Sequence, residues 1–148
     1  MCVINFKEMK ERMNVWSKEK SALNAKVTFV RPKRRQIWWC AIGFNVGSEQ
    51  NCTEGFDRPV LVLKVFGSMF WGLPITSSDP EKKKEENPLY FKIDGIPYAT
   101  TEGKAKCLVG YVALHQLRSF DSRRLKRKIL RMDNEVFDKI EDKVRSLL

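Results

Sequence analysis

At 148 residues the chain has room for one domain with one sizeable core, and 43% hydrophobic with 11% aromatic residues is too apolar a mixture for a disordered chain. The 28 Lys and Arg against 18 Asp and Glu leave a formal charge of +10, a surplus that favours a polyanionic partner, nucleic acid first, through counterion release. The cations are spread along the chain, which disfavours a membrane-surface helix, and no run approaches the ~18 apolar residues of a spanning helix.

Residues 5–25 set Phe6, Met9, Met13, Trp16 and Leu23 at helical spacing between Lys and Glu. That predicts an amphipathic N-terminal helix packed on the same domain or, alternatively, in a partner's groove. From Val27 the pattern turns to strand chemistry: VTFV (27–30), IWWCAIGF (37–44), RPVLVLKVF (58–66) and MFWGLPIT (69–76), separated by turn formers. A meander of antiparallel strands is expected. The polar, proline-bounded stretch 77–88 reads as a surface loop. Strand patterns resume at LYFKI (89–93) and KCLVGYVALHQL (106–117), Asp121 is placed to cap a short helical turn, and Lys126 to Arg131 form a basic strand. Asp133 is a plausible cap for a last helix carrying Val136, Ile140, Val144 and Leu147 or Leu148. The organisation expected is a helical extension over 1–30 and one domain over 31–148.

Cys2, Cys40, Cys52 and Cys107 show neither C-x-x-C pairs nor metal-ligand spacing, and His115, the single histidine, cannot complete a zinc cluster locally. They read as reduced thiols of a cytoplasmic protein. Asn51-Cys52-Thr53 matches a glycosylation sequon, but the first thirty residues lack the apolar core of a signal peptide. Glycine-rich phosphate loops, His-Glu-x-x-His and Gly-x-Ser-x-Gly are all absent from the sequence, which argues against nucleotide hydrolysis, dinucleotide redox and zinc chemistry.

Three ordered segments remain: Ile37-Trp-Trp-Cys-Ala-Ile-Gly-Phe-Asn-Val-Gly-Ser-Glu-Gln50, Asp57-Arg-Pro-Val-Leu-Val-Leu-Lys64 and Leu73-Pro-Ile-Thr-Ser77. Together they resemble the MazF/PemK family of toxin endoribonucleases. A weaker match follows at Val112-Ala-Leu-His-Gln-Leu-Arg-Ser-Phe-Asp121. The resemblance implies a β-rich α+β fold, an SH3-like bent antiparallel barrel of the CcdB/MazF type. Five or six strands are expected, with a C-terminal helix and an extra N-terminal one. It also implies a homodimer that cleaves single-stranded RNA at selected sequences in the cytoplasm. No cofactor or metal would be needed, and a cognate antitoxin would neutralise it with a flexible acidic or apolar tail.

By the same resemblance the catalytic pair is Arg58 and Thr76. Physically, a guanidinium suits phosphate clamping better than proton abstraction, and a threonine hydroxyl can donate to a phosphate oxygen. The plain alternatives are a surface ion pair of Arg58 with Asp57 or Glu54 and a turn-capping hydroxyl at Thr76. His115 occupies a position where the family commonly holds a carboxylate, so it is a candidate general base or acid, or else a structural ring. Where some members carry an arginine, Ala113 stands here, which throws weight onto His115 or Arg118. Glu49 and Gln50, beside the groove by resemblance, Ser77, Gln116 and Arg118 are candidate supporting or RNA-binding residues. Glu49 is alternatively a loop residue orienting Arg58.

The chain departs from the pattern twice. The connection from Gln50 to Arg58 is longer than the family's turn by about four residues, and Arg34-Arg35-Gln36 replaces a usual glycine before the first aromatic strand. Trp38, Trp39, Phe70 and Trp71 divide between core or dimer interface and base stacking, since adjacent strand residues face opposite ways. Two rivals keep the barrel without RNA cleavage: a gyrase-poisoning toxin of the CcdB kind, against which the ending Arg145-Ser-Leu-Leu148 argues, and a non-catalytic RNA-binding barrel.

Overall fold

Asn5 starts the first helix: its side-chain oxygen accepts from the Glu8 amide at 2.8 Å, and α1 runs Phe6–Asn24. The structure is a computed structural model, in which residues 5–46, 55–77 and 86–148 are described. Leu23 is buried and Trp16 half-buried, but Phe6 and Met13 stay 74% and 52% exposed. The apolar stripe of α1 is thus packed on the domain only in part.

The VTFV segment forms no strand. It crosses from the helix to the sheet as an unpaired connection with Val27 93% exposed. β-branched residues favour a pleated, half-buried surface, and without a partner edge that preference has nothing to act on.

Seven strands follow: β1 Gln36–Ala41, β2 Asp57–Phe66, β3 Met69–Thr76, β4 Tyr90–Ala99, β5 Ala105–Ala113, β6 Arg118–Asp121 and β7 Leu125–Arg131. Their order is β4-β5-β3-β2-β1-β7, all antiparallel, with β6 beside the first half of β3. The LHQ of the long 106–117 pattern leaves the strand and forms a 3-10 turn at Leu114–Gln116. A second such turn, Ser122–Arg124, is capped by Asp121, whose carboxylate accepts from the Arg123 amide at 2.9 Å.

Register shifts bend the sheet: at Val62/Lys64 between β2 and β3, at Ile93/Ile96 between β4 and β5, and twice along β1 against β7. The sheet therefore curls into a half-barrel. Alternation then separates two cores. One face gathers Ile37, Leu61, Leu63, Leu73 and Ile75 with Phe137, Ile140 and Val144 of the last helix, α2, Asn134–Leu147. Asp133 caps α2 by accepting from the Glu135 amide at 2.9 Å. The other face gathers Cys40, Ile42, Val60, Val62, Phe70, Phe120 and Leu125.

Both faces of β1 are used: Trp39 packs on the first cluster and Trp38 on the second. In β3, Phe70 is fully buried while Trp71 is 42% exposed.

At the foot of β1, Arg35 takes φ 75°, the left-handed region. Its side-chain Nε and Nη2 donate to the Met132 carbonyl at 3.0 and 2.7 Å, and its own amide donates to the Val62 carbonyl at 3.0 Å. The segment that replaces the expected glycine therefore contains one residue in glycine-like backbone geometry. Here three hydrogen bonds hold an arginine in it.

Candidate active site

The β2–β3 ladder pairs Leu61 with Leu73 and Val60 with Pro74. Continued outward by two residues, that register sets Arg58 beside Thr76. Arg58 is half-buried at the start of β2, and its Nη1 donates to the Ile75 carbonyl at 3.4 Å, the long end of a hydrogen bond. Thr76 is buried at the end of β3 and paired with Tyr111 of β5. Gly110 permits that closeness, because a Cβ there would lie 2.5 Å from the Thr76 carbonyl oxygen. Asp57, the neighbour of Arg58, reaches Lys126 at 4.0 Å. Burial pushes the Asp57 carboxyl up, Lys126 draws it down and Glu19 pushes it up further.

Strand alternation puts Arg58 on the face of Val60 and Val62, and Thr76 on the face of Gly72 and Pro74. This is the second, smaller core face. Gly72 lets it pack tightly: a Cβ there would meet Val60 Cγ1 at 2.5 Å and the Phe120 ring at 3.1 Å. Arg118 pairs with Gly72, lies 5.0 Å over the Phe120 ring, and donates to Asn45 Oδ1 at 3.4 Å. Arg124 joins them by donating to the Ala41 carbonyl at 2.9 Å. Burial lowers the Arg124 guanidinium from its ordinary value, with Cys40 acting the other way. Burial also pushes the Cys40 thiol up to about 12, so it stays protonated and is no nucleophile.

The other candidates divide. His115 sits exposed in the first 3-10 turn, with Nδ1 3.3 Å from the Leu89 carbonyl and its ring edge-on to Tyr90 at 5.1 Å. Gln116 approaches its Nε2 at 3.4 Å. These contacts tie His115 to the start of β4. Ser77 is exposed directly after β3. Glu49 and Gln50 lie outside the described residues.

Tyr111 and Arg124 were not legible as site neighbours. Arg124 belongs to a motif that signals only a capped turn, and its long reach to Ala41 depends on β7 lying against β1. Among the described residues, no group of three or more His, Cys, Asp and Glu side chains is gathered to hold a metal, and no helix is long and apolar enough to cross a membrane. The arrangement supplies permanent positive charge and a hydroxyl donor at the edge of a buried apolar cluster, which suits an anionic ester.

The family described as PemK-like, MazF-like toxin of type II toxin-antitoxin system matches residues 33–148. Endoribonuclease EndoA of Bacillus subtilis (strain 168) is 30% identical over 112 residues, covering 74% of this chain and 88% of that protein. In fold, MazF from Deinococcus radiodurans superposes with a TM-score of 0.57 at 22% identity, over 80% of this chain and 96% of that one. An endoribonuclease from Mycobacterial species, solved with its cognate antitoxin, gives 0.55 at 14% identity, over 78% and 93%. The curled sheet with its C-terminal helix is the MazF-like fold, and the chain belongs to the PemK-like, MazF-like toxins of type II toxin-antitoxin systems.

Proposed function

We propose that the chain is an endoribonuclease that cuts single-stranded RNA at selected sequences, with Arg58 and Thr76 acting on the scissile phosphate. The observation that carries this reading is their adjacency at one end of the β2–β3 ladder, on a face also lined by Arg118 and Arg124. In cleavage by the neighbouring 2′-hydroxyl, that oxygen loses its proton and attacks phosphorus. The 5′-oxygen leaves and takes up a proton, giving a 2′,3′-cyclic phosphate and a 5′-hydroxyl. Arg58 clamps two phosphate oxygens with its fork and offsets the charge that grows on them, while Thr76 donates its hydroxyl hydrogen to one of them.

Neither residue is a good proton acceptor, so His115 is assigned the transfer, with Gln116 at its ring nitrogen. Arg118 supplies a further phosphate contact, and Glu49, Gln50 and Ser77 are assigned to RNA binding. This route needs no metal or cofactor. A cognate antitoxin with a flexible acidic or apolar tail is the natural inhibitor of so basic a groove, and the surplus of +10 would speed that encounter. The working form is taken as a homodimer in the cytoplasm.

The test is to incubate the purified protein with a long single-stranded RNA in EDTA. Discrete fragments ending in 2′,3′-cyclic phosphate, absent with Arg58→Ala and with Thr76→Ala, are expected. A gel shift without cleavage would overturn the enzymatic reading.

A further inference from the structure

α1 lies ahead of the residues that match the toxin family, and its packing is unusual for an amphipathic helix. Phe6, Met13 and Val15 are left 74%, 52% and 57% exposed. Trp16 instead lies on Gly43, so close that a Cβ on that glycine would stand 2.4 Å from Trp16 Cζ2. Gly43 also takes φ +88°, so the position suits glycine twice over.

The same tryptophan ring meets Phe56 at 5.2 Å, and Arg12, one turn earlier, lies over Phe44 at 5.2 Å and Phe56 at 6.0 Å. Arg124 lies 5.6 Å beneath Trp16 while it holds the Ala41 carbonyl. One helical patch therefore touches both ends of the connection between β1 and β2. Those ends are joined to each other, since the Ile42 and Gly43 amides both donate to the Phe56 carbonyl, at 2.9 and 3.2 Å.

The far end of α1 is anchored separately. Glu19 accepts from Lys126 at 2.9 Å, Lys26 donates to the Arg123 carbonyl at 3.1 Å, and Arg123 donates to the Asn24 carbonyl at 3.3 Å. Phe56 precedes Arg58 by two residues, so a displacement of Phe56 passes along one extended dipeptide to the guanidinium.

We propose that α1 is a brace for the catalytic strand, in which Trp16 and Arg12 are positioning residues that fix Phe56 and, through it, Arg58. This rests on the RNA-cleaving reading above. Misplacing a reacting group by about an ångström costs rate rather than ground-state binding, up to about a hundredfold.

The experiment compares Trp16→Ala, Trp16→Phe and Arg12→Ala with Met13→Ala, an exposed change on the same helix. Two readouts are taken on the full chain: kcat and KM on a defined single-stranded RNA, and hydrogen exchange at the Ile42 and Gly43 amides. Trp16→Ala is expected to lower kcat about tenfold with KM changed less than about threefold, and to speed exchange at both amides. Trp16→Phe should restore most of each, Arg12→Ala should act in the same direction more weakly, and Met13→Ala should do nothing. Unchanged exchange in Trp16→Ala overturns the brace, and faster exchange with unchanged kcat overturns its role in positioning. If the unmodified chain cuts no RNA, the functional reading fails, while the exchange data still decide whether α1 braces the β1–β2 connection. Should Trp16→Ala fail to fold, the half-exposed Arg12→Ala carries the same two readouts.

Discussion

The two faces of the curled sheet are filled in opposite ways. On one, α2 lies across the strands and Phe137, Ile140 and Val144 close over Leu61, Leu73 and Ile75, with Phe137 and Ile140 entirely removed from solvent. On the other, a smaller cluster of Val60, Phe70 and Phe120 is just as fully buried, and Arg58, Arg118 and Arg124 stand around it, with Trp16 of α1 against Arg124. Both clusters hold the fold, and the first buries more apolar residues. The second carries guanidiniums at its edge, which is where an anionic ligand can be received. Chemistry is thereby confined to one face, and substitutions should separate accordingly.

The largest effect is expected on the arginine-lined face. Arg58→Ala should lower RNA cleavage by ~10³-fold, because a preorganised donor to a developing oxyanion is removed, with the thermal midpoint nearly unchanged. Arg58→Lys should recover little, since a point charge does not reproduce the two-pronged contact. A large drop in midpoint for either variant would place Arg58 in the structural framework and break the division. Melting curves alongside a fragment assay check it.

On the closed face the order reverses. Phe137→Ala should destabilise the chain by about 3–5 kcal/mol, as truncation of a fully buried ring leaves a cavity. The fraction still folded should cut RNA at the normal rate. Urea unfolding paired with activity per folded molecule distinguishes this from a direct effect on the site. Gly72→Ala tests the seam between the faces: the added methyl would press on Val60 and the Phe120 ring, for about 1–3 kcal/mol. Because Arg118 pairs with Gly72 and rides on Phe120, this variant should also weaken RNA binding.

The division of faces was only partly legible in the sequence. The unbroken apolar runs in RPVLVLKVF and MFWGLPIT fit strands that bury both faces, and the spacing of Ile140 and Val144 marks the helix that covers one of them. Arg58 and Thr76 were singled out by resemblance because the segments that carry them are short and ordered, and the β2–β3 register sets the two side by side. VTFV misled because strand propensity needs a neighbouring strand to act on, and that segment is paired with none of the described strands. Tyr111 and Arg124 stayed hidden because their approach to the site depends on long-range pairing of β3 with β5 and of β1 with β7. The functional weight of α1 was hidden likewise: helical spacing shows that Trp16 is on an apolar stripe, not that a bare glycine waits beneath it.

The smallest expected effect concerns how α2 is clipped to the closed face. Glu141 sits between Arg34 and Arg145, both of which donate to its carboxylate. Burial alone would push the Glu141 carboxyl up, but the hydrogen bonds from Arg145 and Arg34 outweigh it and hold the group below its ordinary 4.5. A carboxyl that is more acidic in the folded chain than in the unfolded one stabilises the fold at any pH above the ordinary value. That contribution fades as pH falls through the lowered folded value. Glu141→Gln should therefore lower stability at pH 7 by less than about 1 kcal/mol, since the surrounding guanidiniums are largely solvated. The gap from the unmodified chain should close as the pH falls through the lowered folded value. Cleavage rate should not change at neutral pH, because the ion pair belongs to the face that α2 covers. Paired melting curves across the acid range test this, and a gap that persists at the lowest pH would mean that the carboxyl acts through hydrogen bonds the amide does not reproduce rather than through charge.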